Sequence, residues 1–195
     1  MPPRRSVPAA NAGHGRQVAL LRGVNVGRAK RVAMADLRAI VTDLGYDDAR
    51  TFLNSGNVVF TAPGVRPSVA AARIERELAA RLGLTVRVMA LSAAELDAVV
   101  TGNPFHVVAS NPSRLLVAVL GDPADAARLA PLARQDWGTE MLAIGERVAY
   151  LWCPDGVLVG RLSEAVSKAL GDSVTTRNWA TMTKLHALMA AARPT

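Results

Sequence analysis

Three short polar strings interrupt otherwise apolar stretches of this chain, and their residue types could hold an anion. The first is LLRGVNVGRAKR, Leu20–Arg31, which carries Arg22, Asn25, Gly27 and Lys30. The second is NSGN, Asn54–Asn57, with Ser55 and Asn57. The third is TTRNW, Thr175–Trp179, with Arg177 and Asn178. Arginine is a permanent cation whose donors match a carboxylate or a phosphate. Backbone N–H groups in a glycine-bearing loop ahead of a helix add to such a site. These residues form the candidate ligand-binding set.

The first string is neither standard phosphate loop. A P-loop needs Gly, four residues, then Gly-Lys-Ser/Thr. Here three residues separate Gly23 from Gly27, and no Lys-Ser/Thr follows. The dinucleotide fingerprint Gly-x-Gly-x-x-Gly is missing too. Two readings stay open. Either the loop holds an anion, with Arg22 helping from a strand end, or the glycines serve tight backbone geometry and Arg22 pairs with a structural carboxylate. In the third string Thr176 or Asn178 can cap a helix, and Trp179 begins that helix's apolar stripe. A cation at the positive end of a helix costs about 0.3–1 kcal/mol unless an anion or carboxylate compensates. Arg177 is therefore the better functional pointer.

Other chemistries find less support. Cys153 is the only cysteine, and no histidine (His14, His106, His186) has a visible pairing with it. A nucleophilic thiol wants a histidine or a helix N-terminus nearby, so Cys153 reads as a packed thiol. The same four residues give no metal-ligand spacing. No cofactor is expected.

The elements that must position the candidates follow from periodicity. Gln17–Val24 reads as a strand, and Met34–Leu44 as a helix closed by Gly45. Two extended segments, Arg50–Leu53 and Val58–Thr61, flank NSGN as a hairpin. A helix over Ser68–Leu82 and a strand over Leu84–Ala90 complete β-α-β-β-α-β, the ferredoxin-like order. An RNA-recognition domain shares this order, but it needs aromatics on its central strands, and only Phe60 stands there. The capping box SAAE, Ser92–Glu95, opens a helix over Ala93–Thr101. The segment 103–113 then reads as a linker, with two Asn-Pro steps that discourage helix. The second half reads as β-α-β-β-α-α, with a helix in place of the final strand. Its strands are Arg114–Leu120, Glu140–Ile144 and Val148–Trp152. Asp122 caps the first helix, and Leu162–Leu170 and Asn178–Ala191 are the last two. The fold class is α+β: a basic tail over 1–16, a ferredoxin-like subdomain over 17–102, and a second α+β subdomain over 114–195.

The net charge of +7 is unevenly spread. The first sixteen residues hold three arginines and no acid, and Arg28, Lys30 and Arg31 cluster in the first polar string. A basic patch steers toward phosphates, although an arginine-rich, alanine-rich composition also accounts for the total. No apolar run approaches the roughly 18–20 residues of a membrane helix. The tail lacks the apolar stretch of a secretory signal, and one cysteine suits a reducing cytosol.

The strings ALLRGVNVG, MADLRAIVTDLGY, RTFLNSGNVVF, NPF and TTRNWATMTKL, in that order, resemble an uncharacterised bacterial family, domain of unknown function 1697. The resemblance runs from about Val18 to Met189. It implies a cytosolic α+β protein with a ferredoxin-like portion and implies no substrate. Where the family usually has a second glycine and Lys-Asn after its Asn-Val-Gly, this chain has Arg28, Ala29 and Lys30. PDGVLVGRLSEA keeps the family's Gly160 and Arg161 but has Leu162 in place of its serine.

The leading expectation is a binding module for an anionic ligand, a nucleotide or nucleic acid, with no membrane partner. An enzyme acting on a small phosphorylated substrate is the second reading: Asn25, Asn57 and Arg177 would orient the substrate, with an acid such as Asp36 as base. A protein-interaction role for the apolar C-terminal helix is the third. Convergence of Arg22, Asn57 and Arg177 on one cleft is the geometric condition for both site readings.

Overall fold

A computed structural model describes residues 15–26 and 30–191. The first half runs β1 (Arg16–Leu21), α1 (Met34–Asp43), β2 (Asp47–Thr51), β3 (Asn57–Thr61), α2 (Pro67–Leu82) and β4 (Val88–Ser92). Its strands form an antiparallel sheet in the order β2-β3-β1-β4. All of β1 is buried. Ala19 and Leu21 join Leu37, Ile40, Ile74 and Leu78 of the two helices in one core. Val18 and Leu20 point to the other face and a different core. This double coverage explains why β1 is almost uninterruptedly apolar. Gly83 ends α2 at φ +64, a left-handed cap that glycine takes without steric cost. The Ser92–Glu95 box then starts α3 (Ala93–Thr101) with both reciprocal bonds in place.

The second half runs β5 (Leu115–Leu120), a 3-10 turn (Pro123–Leu129), α4 (Ala130–Ala133), β6 (Met141–Ile144), β7 (Val148–Trp152), α5 (Leu162–Leu170), a second 3-10 turn (Gly171–Ser173), β8 (Val174–Asn178) and α6 (Trp179–Ala190). Its sheet has the order β6-β7-β5-β8, which repeats the order of the first. The expected β-α-β-β-α-α pattern is corrected here, because a strand precedes the last helix. Val174, Thr175 and Thr176 are β-branched and suit a pleated strand. They pair with β5 in the register Val119↔Thr175 and Val117↔Arg177. The cap signal was real but belongs to the end of this strand: Asn178 Oδ1 accepts from Thr181 N at 2.9 Å.

The two sheets remain separate and share a central core. Val18 and Leu20 of β1 meet Val117 and Val119 of β5 through Leu96 and Val99 of α3 and Met182 and Leu185 of α6. Phe105, within the 103–113 segment, is buried in the same core. The apolar stripe of α6 is thus consumed internally: Met182 and Leu185 are fully buried. Of the basic tail, residues 1–14 lie outside the described part. Arg16 opens β1, and its guanidinium donates to the main-chain oxygens of Met189 and Ala191. Among the described residues no helix is long and apolar enough to cross a membrane.

Candidate functional site

A cleft of about 810 Å³ opens where the end of β1 meets β8. Arg22, Gly23, Val24, Val26 and Lys30 of the loop after β1 form one side, and Leu53 and Ser55 of the β2–β3 turn adjoin them. Thr85 and Arg87, leading into β4, lie on its border. Asp172, Thr175, Thr176, Arg177, Asn178 and Thr181 form the β8 and α6 side. Among the described residues its charged lining is four cations and one carboxylate.

Arg177 dominates the floor. On β8 it shares a face with Thr175, and that face meets the first sheet. Its Nε donates to Asn57 Oδ1 (2.6 Å), Nη1 to Thr175 Oγ1 (3.0 Å) and Thr176 O (2.9 Å), and Nη2 to Leu21 O (2.8 Å) and Ser55 O (2.9 Å). All five N–H groups therefore have acceptors, and none of the acceptors is charged. The residue is only 9% exposed. Loss of hydration pushes its pKa down to about 10, which leaves it cationic at neutral pH. The dipole conflict expected from the sequence takes another form: the cation lies in the seam between the sheets, with no hydrogen-bonded carboxylate among the described residues.

Asn57 is fully buried and also committed to the protein. Its Nδ2 donates to Phe52 O (2.8 Å) and Ser55 Oγ (2.9 Å) while its oxygen receives Arg177. Asn25 is a loop staple at φ +57. Its Nδ2 donates to Val32 O (2.8 Å) and Asn54 O (2.7 Å), and its Oδ1 accepts from Val32 N (3.0 Å). Gly56 holds the turn at φ +73, where an added Cβ would stand 2.7 Å from Leu21 Cβ and 2.5 Å from Val24 Cγ2. Only glycine fits this close approach.

The remaining candidates keep donors facing the cleft. Arg22 Nε pairs with Asp172 Oδ1 (3.2 Å), and Nη1 donates to Val174 O (2.5 Å). Its Nη2 has no acceptor among the described residues, so a carboxylate partner and spare donors coexist. The side chain of Lys30 is exposed and makes no bond within the described residues. Ser55 is exposed, and its hydroxyl hydrogen is not used by Asn57, which is itself the donor. Asn178 spends its oxygen on the α6 cap and keeps Nδ2. Gly27 and Arg28 lie outside the described residues. Arg22 and Arg177 thus line one cleft, with Asn57 directly behind Arg177. Thr85, Arg87 and Asp172 also line the cleft, and no sequence signal marks them. They occur singly in strings with no motif, and only tertiary packing brings them to the seam.

Other candidates lie elsewhere. Asp36 is exposed on α1 and does not line the cleft. Cys153 follows β7 and is fully buried. Burial, and then the neighbouring Glu140 carboxylate, push its thiol up to about 12. That carboxylate accepts from Arg161 N (2.9 Å) and Leu162 N (3.2 Å) at the start of α5. Phe60 is fully buried and stacks on Tyr46 with centroids 5.1 Å apart, so it presents no ring to a nucleic acid. His186 Nε2 sits 2.9 Å from Asp97 Oδ1, bridging α6 to α3. Among the described residues no group of histidine, cysteine and acid side chains is arranged to hold a metal.

The whole arrangement has a structural counterpart. A conserved bacterial protein, SP0830 from Streptococcus pneumoniae, superposes with a TM-score of 0.74 at 22% identity, over 89% of this chain and 98% of that one. At this identity the likeness concerns the fold. No curated protein matches the chain in sequence. The profile of the family described as "Protein of unknown function (DUF1697)" matches residues 15–150, from before β1 into β7 and over more than half of the chain. The chain belongs to the DUF1697 family.

Proposed function

We propose that the chain is a cytosolic binding module for an anionic ligand held in the cleft between its two sheets. The observation that carries this reading is Arg177: a buried guanidinium at the cleft wall with neutral acceptors only. Its donors are saturated, so it acts through its field. That field is stronger in a water-poor seam than in bulk solvent. Arg22 and Lys30 supply the mobile contacts, and Ser55 and Asn178 add neutral donors. The strand order of each half supports treating both as ferredoxin-like units, with the ligand at their junction. A cleft of this volume lies within the 300–1,000 Å³ range typical of small-molecule sites. The enzyme reading is weaker, because Asp36, its proposed base, stands outside the cleft.

Thermal unfolding with and without pyrophosphate at constant ionic strength tests the proposal. A ligand at one hundred times its Kd stabilises the native state by about 2.7 kcal/mol. A rise of several degrees in Tm is expected for the native chain and little for the Arg22→Ala/Lys30→Ala double variant. Equal shifts in both, or none in either, would refute the reading.

A further inference from the structure

The lip of this cleft is apolar where its floor is cationic. Val26 is 73% exposed and Leu53 is 56% exposed, and both line the cavity. Their neighbours are tied together, since Asn25 Nδ2 donates to Asn54 O at 2.7 Å. That bond ties the two loops together, and Val26 and Leu53 line the same cleft as Ser55 and Arg177. Leu53 is also held at φ +57, a left-handed conformation unfavourable for leucine. Its side chain stays more than half exposed. An observed backbone outlier at a cleft is grounds for a functional hypothesis.

We infer that the ligand is a small organic phosphate with an apolar ring, of the nucleoside monophosphate kind, its charge on Arg22 and Lys30 and its ring on Val26 and Leu53. This rests on the anion-binding reading and narrows it. A bare phosphate would leave the lip in water, and a sugar phosphate would cover it with hydroxyls. A ring is covered on one face by two aliphatic side chains, and the neutral polar residues Ser55 and Asn178 belong to the same lining and can meet its polar edges. Apolar area so removed from water favours binding without added charge.

Calorimetric titration with pyrophosphate, ribose 5-phosphate and adenosine 5′-monophosphate, at one ionic strength, separates the contributions. The monophosphate nucleoside is expected to bind about 10-fold or more tighter than ribose 5-phosphate, the range of a modest apolar contact. Leu53→Gly is the informative variant, because glycine accepts this φ and the fold is retained. Its Tm should rise while the preference for the ring-bearing ligand falls and ribose 5-phosphate affinity holds. Equal affinity for the two ligands in the native chain, or an unchanged preference in Leu53→Gly, would overturn the inference and leave the anion-binding reading standing. Failure of all three ligands to bind would overturn both. Capture by anionic phospholipid vesicles, without response to the soluble nucleotide, would assign the lip to a membrane surface and refute the inference.

Discussion

Arg177 Nε donates to Asn57 Oδ1 at 2.6 Å across the seam between the two sheets. Both side chains are buried, one on β8 and the other at the start of β3. The contact fixes the β2–β3 turn against the last strand, and the same guanidinium grips the carbonyl at the end of β1. The residue that ties the halves together is thus also the one that makes their junction electropositive.

Removal of this guanidinium should weaken the fold itself. Arg177→Ala leaves Asn57 Oδ1 and Ser55 O without this donor, and leaves Leu21 O with the longer bond from Thr175 Oγ1 at 3.4 Å. An unsatisfied buried acceptor costs about 1–3 kcal/mol, so a total loss of about 3 kcal/mol is expected, with partial relief from water. Arg177→Lys keeps a charge but cannot span the acceptors, and it should recover less than half of that. Urea unfolding of both variants measures the difference. A lysine variant as stable as the native chain would show that the bridging geometry is unimportant.

Arg22→Ala should behave differently. Its ion pair with Asp172 is exposed, with 85% of the aspartate side chain in solvent, and such pairs contribute about 1 kcal/mol or less. Stability should change little while anion affinity falls. A variant that unfolds as readily as Arg177→Ala would make Arg22 a structural residue.

Gly56→Ala should destabilise the chain by about 2 kcal/mol, from a φ alanine rarely adopts and from its contact with Leu21 and Val24. Gly64, also at positive φ but with open space around it, is the control. Gly64→Ala carries the backbone penalty alone and should cost less. Equal unfolding midpoints for the two variants would contradict the close packing of the turn on β1.

Cys153 should resist thiol reagents. Its pKa is raised from 9.0 to about 12 in the folded chain, so the thiolate is scarce at pH 8. The stabilisation linked to this shift is complete below about pH 9 and is lost as pH rises from 9 toward 12. Iodoacetamide at pH 8 should label the urea-unfolded protein readily and the native protein very slowly. The alkaline loss of stability should be smaller in Cys153→Ala. Rapid native labelling would mean that the thiol is accessible.

Much of this molecule is legible in its sequence, because helical and alternating periodicities report burial directly. Leu37, Ile40 and Val41 predict the face that α1 buries, and the Ser92–Glu95 box predicts the first residue of α3. β8 was misread because five residues carrying a helix-cap signal give too little alternation to mark a strand. Only its partner β5 settles the conformation. The lining of the proposed site is partly legible. The polar strings announced Arg22, Asn57 and Arg177. Their division of labour, with Asn57 and Arg177 spent on the protein and Arg22 only partly spent on Asp172 and Val174, depends on distances that spacing does not encode. Arg87 and Asp172 had no local signal at all.

An anion held in the inter-sheet cleft is the proposal on which the ligand reading depends. Calorimetric titration of pyrophosphate into the native chain and into Arg22→Ala/Lys30→Ala, each at two ionic strengths, tests it most directly. Saturable binding to the native chain is expected that weakens with added salt and falls at least about 10-fold in the double variant, one factor of ten per 1.4 kcal/mol. Binding of equal strength in both proteins, or no saturable binding at low salt, would contradict it.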